Sequence, residues 1–142
     1  MQLTAIKQIA ELTDRKSKFD RRKLGIRLLS SLILNCGEQA LNQDKSILRL
    51  ILGVCGDSNF KIRTDGAIFL KEFIKKNHEE LIGSSRMTET YIPELMYLVT
   101  DDDYFIKIEA IEALHFIMET IPLETVEKEV IPCFLKLITT EN

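Results

Sequence analysis

A pattern of paired helices recurs along this chain at intervals of about 40 residues, and it constrains the fold more than any other feature. Positions around Asp57 return 44 residues later around Asp101, and two further sets return after 41 and 39 residues. The matched sets are Asp57, Phe60, Ile62, Arg63, Gly66 and Leu70 with Asp101, Tyr104, Ile106, Lys107, Ala110 and Leu114; Phe19, Arg22, Gly25, Leu29 and Leu32 with Phe60, Arg63, Gly66, Leu70 and Phe73; and Tyr91, Ile92, Pro93, Leu95, Leu98 and Val99 with Val130, Ile131, Pro132, Phe134, Leu137 and Ile138. Because one helix pair cannot bury both of its faces, such units stack on their neighbours.

Apolar residues recur every three or four positions, which is typical of helices with one buried face. No two-residue alternation is sustained, so the pattern predicts an all-α fold. Breaks between the apolar stripes predict seven main helices, over residues 2–13, 20–35, 44–55, 59–77, 87–100, 103–120 and 124–139. Paired in order, they predict a right-handed α-solenoid over 1–142, with repeats at about 1–37, 38–83 and 84–122 and a half repeat at 123–142.

The last predicted helix corresponds to the first helix of a repeat whose second helix is missing. We therefore expect the chain to be a piece of a longer scaffold, about three and a half repeats long. Side chains that a following helix would cover are expected to be partly unburied; these are Ile131, Phe134, Leu135 and Ile138.

Three kinds of residue have defined places in the repeat. Asp57 and Asp101 lie in the turn before the second helix, where a carboxylate can accept main-chain N–H groups. A small residue, Gly66 or Ala110, allows close helix approach. A proline at 93 and 132 lies inside the apolar stripe of the first helix, which predicts a bend there rather than a helix start.

These residues resemble the HEAT-repeat family. Its signature places an Asp in the turn within the repeat, an apolar and a basic residue five and six positions on, and a small residue three further. Residues 56–63 fit this signature, and 101–107 fit with Lys107 in place of Arg. The first unit departs from it, because Lys16 stands at the turn position.

Within that family the chain is most similar to the scaffold and regulatory subunits of type 2A-related serine/threonine protein phosphatases. The similarity lies in the aromatic residue that precedes the apolar–basic pair, Phe60 or Tyr104, and in residues 34–38. It implies a non-catalytic scaffold whose partners are other proteins, including a phosphatase catalytic subunit. A nuclear-transport-receptor-like or other HEAT adaptor is the alternative, and a nucleic-acid-binding HEAT-like protein is a further one.

The resemblance also assigns roles to the turn residues. A structural ladder is implied in which Asp57 pairs with Arg63 and Asp101 with Lys107, or in which the cations reach the Asp of an adjacent repeat. Partner binding is assigned to turn side chains that the core does not need, which are Ser58, Asn59, Phe60, Asp102, Asp103, Tyr104 and Phe105. The alternative for Phe60 and Tyr104 is an internal staple at the helix start.

Residues suited to catalysis are sparse and poorly spaced. His78 and His115 stand apart, and Cys36, Cys55 and Cys133 form no CxxC pair, so neither a metal site nor a disulfide framework is indicated. The run Asp101–Asp103 lacks the alternating ligand spacing of a cation loop. We expect no enzyme activity and no cofactor.

Charge is distributed unevenly along the chain. Residues 1–49 carry ten of the 19 Lys and Arg and five of the 22 Asp and Glu, which leaves nine and seventeen for residues 50–142. The basic cluster comprises Arg15, Lys16, Lys18, Arg21, Arg22, Lys23 and Arg27. Such a cluster can contact phosphates, or it can be a solvated edge paired with acidic residues of a preceding repeat.

The longest uncharged stretch, Leu28–Gly37, is ten residues, about half of what a membrane-spanning helix needs. Together with an amino terminus that lacks the pattern of a secretory signal, this predicts a cytoplasmic protein with no membrane partner, the nucleus being the alternative.

Overall fold

The computed structural model describes residues 8–9, 11–13, 18–36, 52–81 and 87–140, and the chain divides into two compact units, Met1–Phe73 and Ile74–Asn142. Every regular element within these ranges is helical, and no strand occurs among them. The predicted all-α class is therefore confirmed for the described residues.

The helices follow the predicted boundaries closely. Two predicted helices, 2–13 and 44–55, lie mostly outside the described residues, although 8–9, 11 and 52–54 are helical. The others are α1 (Phe19–Cys36), α2 (Phe60–Leu81), a π-helical turn π1 (Met87–Tyr91), α3 (Ile92–Val99), α4 (Tyr104–Thr120), the short α5 (Leu123–Thr125), a second π-helical turn π2 (Val126–Val130) and α6 (Ile131–Thr140). The predicted end of α2 at 77 coincides with a break in helical geometry, because Asn77 has φ −112° and ψ 17° before the helix resumes.

The core of the first unit includes a buried cluster that joins its two described helices. Ile26 and Ile62 meet Val54 in a buried cluster, and Phe19 packs against it at the start of α1. Because Ile26 and Ile62 belong to different helices, the cluster fixes α1 against α2 at the point where residues 52–54 approach.

Two glycines of the first unit lie where a preceding segment comes closest. A Cβ at Gly25 would lie 2.7 Å from the Cβ of Leu12, and one at Gly66 would lie 3.1 Å from the Sγ of Cys55. Both are helical residues 41 positions apart, so the same packing device occurs twice. Close approach is the role that the sequence predicts for a small residue here.

In the second unit, α3 packs against both α4 and α6. The inward stripe of α4 consists of Ile106, Ala110, Ala113 and Ile117, all fully or nearly fully buried. Their steps of four, three and four residues place them on one side of the helix.

The two prolines share one local structure, which refines the predicted bend. Pro93 and Pro132 are each the second residue of an α-helix that continues directly from a π-helical turn. In π2 the N–H of Ile131 donates to the carbonyl of Val126, five residues back. A proline ring clashes with the carbonyl four residues earlier, and the wider π turn moves that carbonyl away. Neither helix therefore starts at its proline.

The last helix has exposed apolar side chains. Ile131 is 39% exposed and Leu135 is 57% exposed. The side chains of Phe134 and Ile138, for which the same was predicted, lie outside the described residues.

Candidate interaction surface

The two turns that carry the predicted partner-binding residues have the same hydrogen-bond pattern. In the Asp57 turn (residues 57–60) the N–H of Asp57 donates to Val54 O, and that of Asn59 donates to Asp57 Oδ1 at 2.9 Å. In the Asp101 turn (residues 101–105) the N–H of Asp101 donates to Leu98 O, and that of Asp103 donates to Asp101 Oδ1, also at 2.9 Å. Corresponding residues are 44 apart, as in the sequence repeat.

Each turn ends with a side chain that caps the next helix. Asn59 Oδ1 accepts the N–H of Lys61 in the first turn of α2, and Asp103 Oδ1 accepts the N–H of Ile106 in the first turn of α4. These bonds satisfy main-chain donors that a helix start would otherwise leave without partners. Asn59 and Asp103 thus cap helices, in addition to the partner-binding role predicted for them.

The carboxylate of Asp57 is almost fully enclosed, with 2% of the residue exposed. Its Oδ2 lies 3.5 Å from Nε of Arg22, so the Asp57 turn is joined to α1 by an ion pair. Arg22 and Arg63 are equivalent positions of the 41-residue repeat. This pair corresponds to the second form of the implied ladder, in which the cation reaches the Asp of an adjacent repeat.

Arg63 binds the main chain of the Asp57 turn. Its Nη1 donates to the main-chain carbonyls of Asp57 and Ser58, at 2.8 and 3.2 Å. Arg22 lies beside the carboxylate of Asp57, and Arg63, in the first turn of α2, reaches the carbonyls. The side-chain pairings of Asp57 with Arg63 and of Asp101 with Lys107 stay predictions.

The aromatic residue that begins the helix after each turn is open to solvent. Phe60 is 49% exposed and Tyr104 is 75% exposed, and Phe105, Ser58 and Asp102 are exposed as well. A hydrophobic staple covers its apolar side chain against the first turn of the helix. The exposure of Tyr104 therefore argues against the staple alternative and leaves its ring available to a partner.

The basic cluster is partly neutralised within the first unit. Arg22 pairs with Asp57, Lys23 lies 3.5 Å from Asp65, and Arg27 lies 4.0 Å from the same carboxylate. These acidic partners belong to the following helix and its turn, whereas the solvated-edge alternative placed them in a preceding repeat. Lys18 and Arg21 are exposed, while Arg15 and Lys16 lie outside the described residues.

The two histidines lie in different surroundings. His78 is half-buried, with its Nδ1 3.0 Å from the carbonyl of Lys75 and its ring edge-on to Phe116 at 5.4 Å. His115 is exposed and lies 3.4 Å from a carboxylate oxygen of Glu119. Packing accounts for His78, and a contact with Glu119 one turn along the helix surface accounts for His115.

Of the two described cysteine side chains, one is buried and the other is half-buried. Cys55 is buried beside Gly66. Burial raises the pKa of the Cys133 thiol, against a smaller opposing effect of Lys136, and the thiol lies 3.5 Å from the carbonyl of Thr88. A raised pKa reduces the thiolate fraction and hence nucleophilicity. The side chain of Cys36 lies outside the described residues.

Glu94, on α3, has a pKa that burial raises above its ordinary value.

Among the described residues, no group of three or more metal-ligating side chains is close enough to hold an ion. Within the same ranges, no helix combines the length and apolar character that crossing a membrane requires.

One surface was missed when the sequence was interpreted. The outer side of α4 carries a second apolar stripe, which includes Ile108, Ile111 and Met118. The sequence does indicate this second stripe. Its residues have the three-and-four spacing of a helix face, and they lie outside the inward stripe that was assigned to that helix.

No family model matches the chain, and neither the curated proteins nor the solved structures include a match to it.

Proposed function

We propose that this chain is a non-catalytic protein-interaction module made of HEAT-like helix pairs in a solenoid arrangement. The observation that carries the proposal is the equivalence of the Asp57 and Asp101 turns, which repeat the same main-chain and carboxylate hydrogen bonds at a spacing of 44 residues. Local structure that repeats in this way is what tiled helix pairs require.

Two further repeated devices support the same proposal. Gly25 and Gly66 each lie beneath the end of a preceding segment. Pro93 and Pro132 each follow a five-residue π-helical turn. Each device recurs at a spacing that the sequence repeat also has, 41 residues for the glycines and 39 for the prolines.

Binding is assigned to the turns because their exposed side chains are not needed by the core. Phe60 and Tyr104 place aromatic surface in water at equivalent positions, and exposed aromatic residues are favoured anchors of protein interfaces. The resemblance to phosphatase scaffold and regulatory subunits implies that the partner is a serine/threonine phosphatase catalytic subunit. The ion pairs of Lys23 and Arg27 with Asp65 disfavour nucleic acid, because they reduce the charge that phosphates would meet.

The test is affinity capture from an extract of the source cells. The wild-type chain is compared with a Phe60→Ala/Tyr104→Ala variant and with Leu123→Ala, which removes another exposed apolar side chain outside both turns. We expect the wild type and Leu123→Ala to retain the same proteins, including a phosphatase catalytic subunit, and the turn variant to lose them.

Equal capture by all three proteins would contradict the assignment of binding to the turns. Recovery of nucleic acid or transport cargo without a phosphatase catalytic subunit would contradict the phosphatase branch.

A further inference from the structure

We draw no further inference here: the strongest candidate, the apolar stripe of Ile108, Ile111 and Met118 on the outer side of α4, carries none, because nothing among the described residues shows what covers it.

Discussion

Asp57 holds the first described turn together through both of its carboxylate oxygens. One accepts the N–H of Asn59, and the other faces the guanidinium of Arg22 on α1. With the residue 2% exposed, the carboxylate has little water to replace either partner. The residue therefore contributes to the register of the repeat and to its stability, because it joins the turn to α1 through a charge pair that is largely shielded from water.

Replacing Asp57 by Ala should lower the free energy of unfolding by about 2 to 4 kcal/mol, because it removes both the bond from the N–H of Asn59 and the buried ion pair with Arg22. Asp57→Asn should cost less, because the amide oxygen can still accept the N–H of Asn59. Urea unfolding followed by circular dichroism measures both.

Asp102→Ala is the matched control, since Asp102 is an exposed carboxylate in the equivalent turn. Its expected effect is within about 0.5 kcal/mol. If Asp57→Ala were no more destabilising than Asp102→Ala, the role assigned to the buried carboxylate would be wrong.

At the scale of the element, the glycines of α1 and α2 set how closely a preceding segment can pack. The virtual Cβ at Gly25 comes within 2.7 Å of Leu12 Cβ and 3.1 Å of that residue's main-chain carbon. At Gly66 the nearest contacts are at 3.1 and 3.2 Å, which small movements can relieve. Gly53 has nothing within 4 Å of such a Cβ and serves as a control.

Gly25→Ala should therefore destabilise the chain by about 1 to 3 kcal/mol, although alanine is the better helix former. Gly66→Ala should cost less than Gly25→Ala. Gly53→Ala should be neutral or stabilising, by up to about 1 kcal/mol. Thermal and urea unfolding rank the three variants, and a Gly25→Ala protein as stable as the wild type would rule out the close approach.

The sequence predicted the helices and the turns well, because both depend on residues near one another in the chain. The period of the apolar residues located α1 and α4, and the spacing of Asp57 and Asp101 located the turns. The pairing of Arg22 with Asp57 was predicted only as a family alternative, because it joins residues 35 positions apart and depends on how α1 is rotated about its axis.

The local structure at the prolines and the outer side of α4 were less predictable. A proline inside an apolar stripe is compatible with a bend, a helix start or a π turn, and the geometry of the preceding residues selects among them. On α4 the spacing of Ile108, Ile111 and Met118 was visible, but their exposure depends on what packs around the helix. The period of the apolar residues identifies which side chains share one face of a helix. Tertiary packing determines whether that face is covered.

For the whole molecule, we propose a set of repeated helix pairs that hold aromatic side chains at their turns. The basic character of residues 1–49 is partly compensated by acidic residues that follow, as Asp65 shows for Lys23 and Arg27. At equivalent positions of the two turns an aromatic side chain is exposed, Phe60 in one and Tyr104 in the other. The proposed function requires that these two rings contact another protein.

Site-specific photo-crosslinking tests that claim most directly. Benzoylphenylalanine is placed singly at Phe60 and at Tyr104, and the matched control places it at Leu123, which is also exposed but lies outside both turns. After irradiation in an extract of the source cells, we expect discrete protein adducts from positions 60 and 104 and none of the same mass from position 123. Absence of adducts from both turn positions, or the same adducts from position 123, would contradict the account.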